Sequence, residues 1–168
     1  MNDTSPTPHE RQIVDWSAAL WAGLGSGALF LVLLAWIVPA VEGGNAWVML
    51  RAVAAVVLGP QVLAPPATYD PGVLGAALLV HFALSLTFSL VLAAIVHRWG
   101  LAVGILGGAV FGLMVYGINF YTFTALFPWF FALRTPTLVL AHVVFGAAAG
   151  GLYEALEVEE FVEVESAA

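Results

Sequence analysis

The side chains best suited to chemistry in this sequence are two histidines and one asparagine that interrupt long apolar stretches, His81, Asn119 and His142. An imidazole can donate or accept a hydrogen bond, carry a proton and ligate a metal, and an amide can both donate and accept. The same helical turns carry Tyr116 and Ser85, which can also hydrogen-bond. One candidate polar layer is therefore formed by His81, Asn119, His142, Tyr116 and Ser85.

This polar layer has three interpretations. The residues form a structural hydrogen-bond network, or His81 and His142 are a pair of haem ligands, or the layer lines a quinone site, a proton path or a permeation path. Haem is disfavoured because there is no second histidine pair. We favour the structural network, in which Asn119 bridges the two imidazoles. This interpretation predicts no cofactor.

Catalysis is not expected from the residue types present. The sequence shows no nucleophile–base pair, no carboxylate dyad and no cluster with metal-ligand spacing, so we predict no catalytic residues and no metal site. It contains no cysteine, which excludes thiol chemistry. Carboxylates are expected to be absent from the four apolar stretches, which argues against proton-coupled transport.

The composition indicates how these residues are positioned, because 62% of residues are hydrophobic and only 9% are charged. Soluble domains carry about 25% charged residues, so this chain belongs in a membrane. Four apolar runs are each long enough to cross a hydrocarbon core of about 30 Å as a helix. The predicted fold is an all-α integral membrane protein with four antiparallel transmembrane helices. The predicted membrane domain covers 16–156, with spans at about 16–39, 72–97, 101–127 and 135–155, a polar tail at 1–15 and an acidic tail at 157–168.

A shorter apolar segment, at about 46–59, lies between the first two spans. It is too short to cross the bilayer, and Arg51 near its centre would be costly in hydrocarbon. We predict an interfacial or re-entrant helix here, lying near the head groups in the first case and lining a pore in the second.

Glycines at four-residue spacing predict how the spans pack. Residues four apart share one face of a helix, and small side chains on that face allow a neighbouring backbone to approach closely. Small-residue stripes occur in all four spans, and we assign helix packing to Gly23, Gly27, Gly104, Gly108, Gly112, Gly146 and Gly150.

Helix lengths place the polar layer in one half of the bilayer. Counting 1.5 Å per residue from the membrane side that holds Pro71, Pro128 and Pro136, the two histidines and Asn119 lie about 9 to 15 Å deep. Three polar side chains at similar depth on three helices are expected to meet.

Charge gives little information about orientation or partners. The four arginines, Arg11, Arg51, Arg98 and Arg134, divide equally between the two membrane sides, so the positive-inside rule is tied. We place both termini in the cytoplasm because the short loop holding Arg98 lies on their side. No basic patch for nucleic acid exists. The expected partners are the lipid bilayer and either a larger membrane protein or further copies of this chain.

Four segments carry a resemblance that extends over nearly the full length: DWSAALWAGLGSG, VLGPQVLAPPATYD, VHFALS and GINFYTFTALFPWFF. They resemble a family of small uncharacterised bacterial four-helix membrane proteins, whose members are sometimes labelled sodium:proline symporter-like. Symporters of that type need inverted repeats and far more spans than this chain has. The resemblance implies the bacterial inner membrane and no established reaction. The expected function is a non-catalytic accessory or structural subunit of a larger membrane complex, with a small oligomeric transporter or channel and a haem- or quinone-binding subunit as alternatives.

Overall fold

The computed structural model describes residues 9–164 and confirms the predicted fold class. Four helices are long and apolar enough to cross a membrane, and a shorter apolar helix lies between the first two. This is therefore a multi-pass membrane protein. In chain order the helices are α1 (Trp16–Glu42), α2 (Ala46–Leu58), α3 (Pro71–Val96), α4 (Leu101–Ala125) and α5 (Pro136–Leu156), and the strands are β1 (His9–Ile13) and β2 (Glu160–Val164).

The helix starts follow local sequence signals. The side chains of Asp15, Asn45, Asp70 and Thr135 each accept a hydrogen bond from an amide in the first turn of the helix that follows. Those amides have no partner within the helix, so the caps satisfy them. Proline occupies the first position of both α3 and α5, where its missing N–H costs nothing.

Two long helices contain a π-helical turn in which each hydrogen bond spans five residues. In α1 the turn is Leu33–Ile37, just before Pro39, whose missing N–H removes one regular α-helical bond. In α4 the turn is Ile118–Thr122, and a short 3-10 segment, Phe123–Ala125, follows it. Each turn rotates the residues beyond it about the helix axis, so both affect which side chains point inward.

The closest helix contact is between α4 and α5. A Cβ added to Gly108 would overlap the carbonyl oxygen of Gly146, and one added to Gly146 would overlap that of Gly108. Gly112 lies in the same way against the carbonyl of His142. At the other end of the contact Gly104 lies against Gly150. The two backbones therefore touch along about two helical turns, as small-residue stripes allow.

Glu154 lies beside this contact, against Gly104. It falls inside α5, so the expectation that the four spans hold no carboxylate is wrong for this residue.

Polar side chains hold α1 against α3. Ser89 donates a hydrogen bond to the carbonyl oxygen of Ala19 at 2.9 Å, and the His81 ring bonds to the carbonyl oxygen of Gly27 at 2.8 Å. The stripe on α1 meets the same face, with Gly23 against Ser89 and Gly27 against Ser85. Bonds of this kind contribute about 0.6 to 2 kcal/mol each between membrane helices.

The helix pair α3 and α4 packs loosely beyond the turn that joins them. Each packs closely against another helix, α3 against α1 and α2, and α4 against α5. At one end, the gap between them is covered by α2 and by a 3-10 turn, Pro128–Leu133. The Trp129 indole donates to the carbonyl oxygen of Ala52 at 3.1 Å and joins these two covering segments. The predicted short helix is thus part of the bundle wall.

The described parts of the two tails pair with each other. The strands β1 and β2 are antiparallel, with Arg11 opposite Val162. The sequence predicted a polar tail at 1–15 and an acidic tail at 157–168, with no strand in either, whereas part of each tail forms a strand. The rest of the tail predictions, at 1–8 and 165–168, lies outside the described residues. Alternating side chains in FVEV fit a strand, and each segment supplies the other's ladder of hydrogen bonds.

Asp15 joins this strand pair to the helices. One carboxylate oxygen accepts from the Ala18 amide at 2.9 Å and the other from the Val158 amide at 3.1 Å. These bonds, the one from Ala18 first, hold the pKa of Asp15 below its usual range. The Asp15 amide also donates to the Tyr153 hydroxyl at 3.3 Å.

We expect Asp15→Ala to destabilise the folded protein by about 1 kcal/mol at neutral pH, through loss of the cap. The stabilisation is present above the unfolded pKa of about 3.9 and is lost as pH falls through the lower folded pKa. Asp15→Asn keeps the cap on Ala18 but cannot accept from Val158, so its effect is smaller. Thermal unfolding in detergent from pH 7 to pH 3 measures both. The control is Glu159→Gln at an exposed position, and an equal effect there would contradict this assignment.

A polar-lined cavity as candidate functional site

A cavity of about 150 Å³ lies between α3 and α4, with α1 and α5 behind it. Its lining is largely apolar and includes Phe30 and Leu34 of α1, Phe145 of α5 and several phenylalanines of α4 and the covering turn. Four polar side chains complete the wall, those of His81, Ser85, Asn119 and His142. An apolar pocket with a few converging polar groups is the usual form of a small-molecule site.

The cavity opens sideways between α3 and α4. Leu84 lines it and is nevertheless 40% exposed, so this residue lies at the mouth. Further along α3, the rings of Phe88 and Phe111 meet edge to face at 6.3 Å and close the gap on the side of the terminal strands. Because α3 and α4 are membrane-spanning helices, the mouth faces the lipid.

His81 enters the cavity wall from α3. It is 6% exposed, and Nε2 lies 2.8 Å from the carbonyl oxygen of Gly27. Gly27 has no side chain, which lets α3 approach and leaves this carbonyl within reach. A carbonyl oxygen only accepts, so Nε2 carries the proton. The other ring nitrogen, Nδ1, has no hydrogen-bond partner among residues 9–164 and is not fully enclosed.

His142 enters from α5 and is 3% exposed. Its Nδ1 donates to the carbonyl oxygen of Leu138, one turn earlier in the same helix, at 2.8 Å. The Phe30 ring packs against it edge to face at 4.7 Å, and the Tyr116 ring does so at 5.5 Å. Its Nε2, like Nδ1 of His81, has no partner within the described chain and keeps exposed surface.

Asn119 and Ser85 supply the remaining polar atoms. Asn119 lies in the π-helical turn of α4 and is half-buried, and Ser85 lies one turn beyond His81 and is 3% exposed. Neither side chain has a hydrogen-bond partner among residues 9–164, and neither is fully enclosed. Buried polar groups in proteins are nearly always hydrogen-bonded, so four free polar groups around one cavity point to a ligand or to water.

The structure brings the predicted polar layer together, with two differences. His81, Ser85, Asn119 and His142 line one cavity, whereas Tyr116 contacts His142 only through its ring. The expected bridge is wrong, because the imidazoles bond to the backbone oxygens of Gly27 and Leu138 and not to Asn119. A main-chain oxygen within reach needs no second ordered side chain, whereas a bridge would.

The histidine pair does not fit a haem. Phe30 packs against both imidazoles, with ring centroids 5.6 Å from His81 and 4.7 Å from His142, and so fills space that an iron between them would need. A cavity of about this volume accommodates a single benzene ring, whereas a porphyrin has four pyrrole rings. No metal-binding group of three or more His, Asp or Glu side chains occurs among residues 11–162, whose side chains the structure describes.

Several site residues were not predicted. Phe30 contacts His81, His142 and Phe145, and it lies on α1 seven residues after Gly23 with no polar atom to draw attention to it. The wall contributed by α2, including Met49 and Ala52, was also missed. Its alternation of small and large apolar residues could have indicated a packed face.

Comparison with known proteins gives no identification. No family model matches the chain, and searches among curated proteins and solved structures found no significant match. The resemblance to small bacterial four-helix membrane proteins therefore stays a prediction, and the cavity carries the functional argument.

Proposed function

We propose that this multi-pass membrane protein binds a small lipophilic molecule that carries a polar group, in the cavity between α3 and α4. The observation that carries the proposal is a set of polar atoms without hydrogen-bond partners among the described residues, in an otherwise apolar wall: one ring nitrogen each of His81 and His142, and the side chains of Ser85 and Asn119. These atoms keep some exposed surface, so a ligand in the cavity can reach them. A ligand that bonds to them satisfies polar groups that otherwise face an apolar wall.

The lipid-facing mouth supports the same function. A molecule dissolved in the bilayer can enter between α3 and α4 at Leu84 without crossing water. Its apolar part can contact the phenylalanine walls, and a longer tail can extend through the mouth into lipid. The quinone-binding alternative from the sequence is the closest to this geometry.

The proposal keeps the wider predictions from the sequence. We place the protein in the bacterial inner membrane with both termini in the cytoplasm, and we regard it as non-catalytic. A larger membrane-protein partner or an oligomer of this chain fits a ligand-binding subunit as well as a structural one. None of these points depends on the cavity.

Blocking the mouth tests the proposal. In lipid nanodiscs, 4-butylphenol is expected to raise the unfolding temperature of the unmodified protein, since a ligand that binds only the folded state stabilises it. Leu84→Trp places a large side chain at the mouth and should remove the shift. Leu79→Trp is the matched control on the same helix, because Leu79 is 69% exposed and does not line the cavity. Equal shifts in all three proteins would mean that the probe acts on the membrane and would overturn the proposal.

A further inference from the structure

We infer that the ligand is a phenolic compound, a hydroxyl group on an aromatic ring, and that it donates a hydrogen bond to an imidazole nitrogen. This inference rests on the proposed function and specifies the chemistry of its ligand. The nitrogen of each histidine that carries the proton decides whether the other nitrogen donates or accepts.

Both histidines present an acceptor to the cavity. A charged imidazolium would be costly among these apolar walls, so each ring is neutral and carries one N–H. In His81 this proton is on Nε2, which faces the Gly27 oxygen, and in His142 it is on Nδ1, which faces the Leu138 oxygen. The nitrogens left free, Nδ1 of His81 and Nε2 of His142, are therefore bare lone pairs. They can accept a hydrogen bond but cannot donate one.

Because these nitrogens accept but do not donate, the site distinguishes lipophilic ligands that can donate a hydrogen bond from those that cannot. A quinone, a ketone, an ester or an ether offers only acceptor oxygens, which can accept from the Asn119 amide or the Ser85 hydroxyl but leave both imidazole lone pairs without a hydrogen bond. A hydroxyl group satisfies an imidazole nitrogen by donating to it, and its own oxygen can still accept from the Asn119 amide or the Ser85 hydroxyl. The site therefore favours the hydroxyl form, and within quinone chemistry it favours the reduced hydroquinone over the quinone.

The wall indicates that the hydroxyl is on an aromatic ring. Phe30, Phe120, Phe130 and Phe145 line the cavity, and edge-to-face contacts between such rings already recur in it, as between Phe30 and His142. Aromatic pairs contribute about 0.5 to 1.5 kcal/mol beyond the burial of their area. The cavity volume of about 150 Å³ suits one six-membered ring. An alkyl substituent can leave through the mouth beside Leu84.

The test compares two probes that differ only in the donor, 4-butylphenol and 4-butylanisole, whose methyl ether cannot donate. Binding to the protein in nanodiscs is measured by the shift in unfolding temperature and by native mass spectrometry. The phenol is expected to bind about tenfold more tightly, which is the effect of about one buried hydrogen bond. A second pair, 2-decyl-1,4-benzohydroquinone and the corresponding benzoquinone, is expected to show the same preference.

Variants identify the acceptor. His142→Leu removes one lone pair and should reduce the preference for phenol over anisole, and the bond it loses is within its own helix, so the fold is retained. His142→Gln restores an acceptor oxygen and should restore part of the preference. His81→Leu is the second acceptor variant.

The outcomes separate the two proposals. Failure of every probe to bind would overturn the proposed function. Equal binding of phenol and anisole to the unmodified protein would leave the cavity as a binding site and overturn the phenolic inference. A preference that survives in the double variant, which combines His81→Leu with His142→Leu, would also overturn it, since neither imidazole would then be the acceptor.

Discussion

Gly108→Ala is expected to destabilise the protein by about 3 kcal/mol, at the upper end of what an added methyl group costs in a packed interior. The added Cβ would overlap the carbonyl oxygen of Gly146, which belongs to the backbone of α5 and cannot rotate away. Relief requires the two helices to separate, and dispersion contacts along the rest of the α4–α5 contact are then lost. Gly146→Ala is expected to behave in the same way, because its Cβ would meet Gly108 and Gly112.

The matched control is Gly107→Ala, one residue earlier on the same helix. A Cβ there meets its nearest neighbour, Cγ1 of Val96, at 3.6 Å, which is ordinary van der Waals contact. Alanine also has a better helix propensity than glycine, so this variant should be neutral or slightly stabilising. Reversible unfolding in mixed micelles measures all three. A Gly108→Ala protein as stable as the Gly107→Ala protein would show that α4 and α5 are not in backbone contact.

Much of the fold could be predicted because it follows from local signals. Hydropathy and length give four spans and the short helix, and the predicted start of α3 at about 72 lies one residue from the observed start at Pro71. The spacing of Gly104, Gly108 and Gly112 indicates a contact face. It does not say which helix covers that face, since that depends on the three-dimensional arrangement of the bundle.

The two π-helical turns also differ in whether a local sequence signal explains them. The turn in α1 has a local cause in Pro39 and could have been anticipated. The turn in α4 contains no proline. The carbonyl oxygen of Phe120 in this turn accepts from the Thr124 hydroxyl, one turn on, and from Arg134, fourteen residues away. A short window of sequence around Asn119 does not show that Arg134 returns to this point.

The polar residues of the candidate site were predicted, but their hydrogen-bond partners were not. The rise per residue, counted from one membrane side, placed His81, Asn119 and His142 at similar depths in the bilayer. All three line the cavity. Their partners could not be predicted, because Gly27 and Leu138 bond through main-chain oxygens that every residue has. A cavity is the space left by many side chains from distant segments, so its volume follows only from the packed structure.

Arg134→Met is expected to produce the second large effect, a loss of about 3 kcal/mol in stability together with loss of ligand binding. Arg134 Nε donates to the carbonyl oxygen of Phe120 at 2.7 Å, and Nη2 donates to the Thr124 hydroxyl at 3.1 Å. Hydrogen bonds to charged groups contribute about 1.5 to 3 kcal/mol, and the substitution leaves the Phe120 oxygen with fewer donors. The guanidinium also lies 4.3 Å from the Tyr121 ring centroid and 4.6 Å from that of Phe131.

The substitution also affects the cavity, because Arg134 connects two segments that cover it, the end of α4 and the Pro128–Leu133 turn. It bonds to the end of α4, which carries Phe120 and Phe123, and it directly follows the Pro128–Leu133 turn, which carries Phe130. Without it these walls are no longer held at a fixed separation. Arg134→Lys keeps the charge but cannot form both bonds in a plane or stack on Tyr121, so it should restore only part of the binding.

Arg98→Met is the control for loss of a loop arginine. Arg98 is exposed and makes one side-chain hydrogen bond, to the neighbouring His97 at 3.2 Å, so its removal should change stability by less than about 0.5 kcal/mol. Thermal unfolding and 4-butylphenol binding in nanodiscs are measured for the three variants together. If Arg134→Met unfolds like Arg98→Met, the π-helical end of α4 holds itself without the arginine. If it loses stability but binds the probe normally, the covering walls do not depend on Arg134, and the link between this residue and the cavity is wrong.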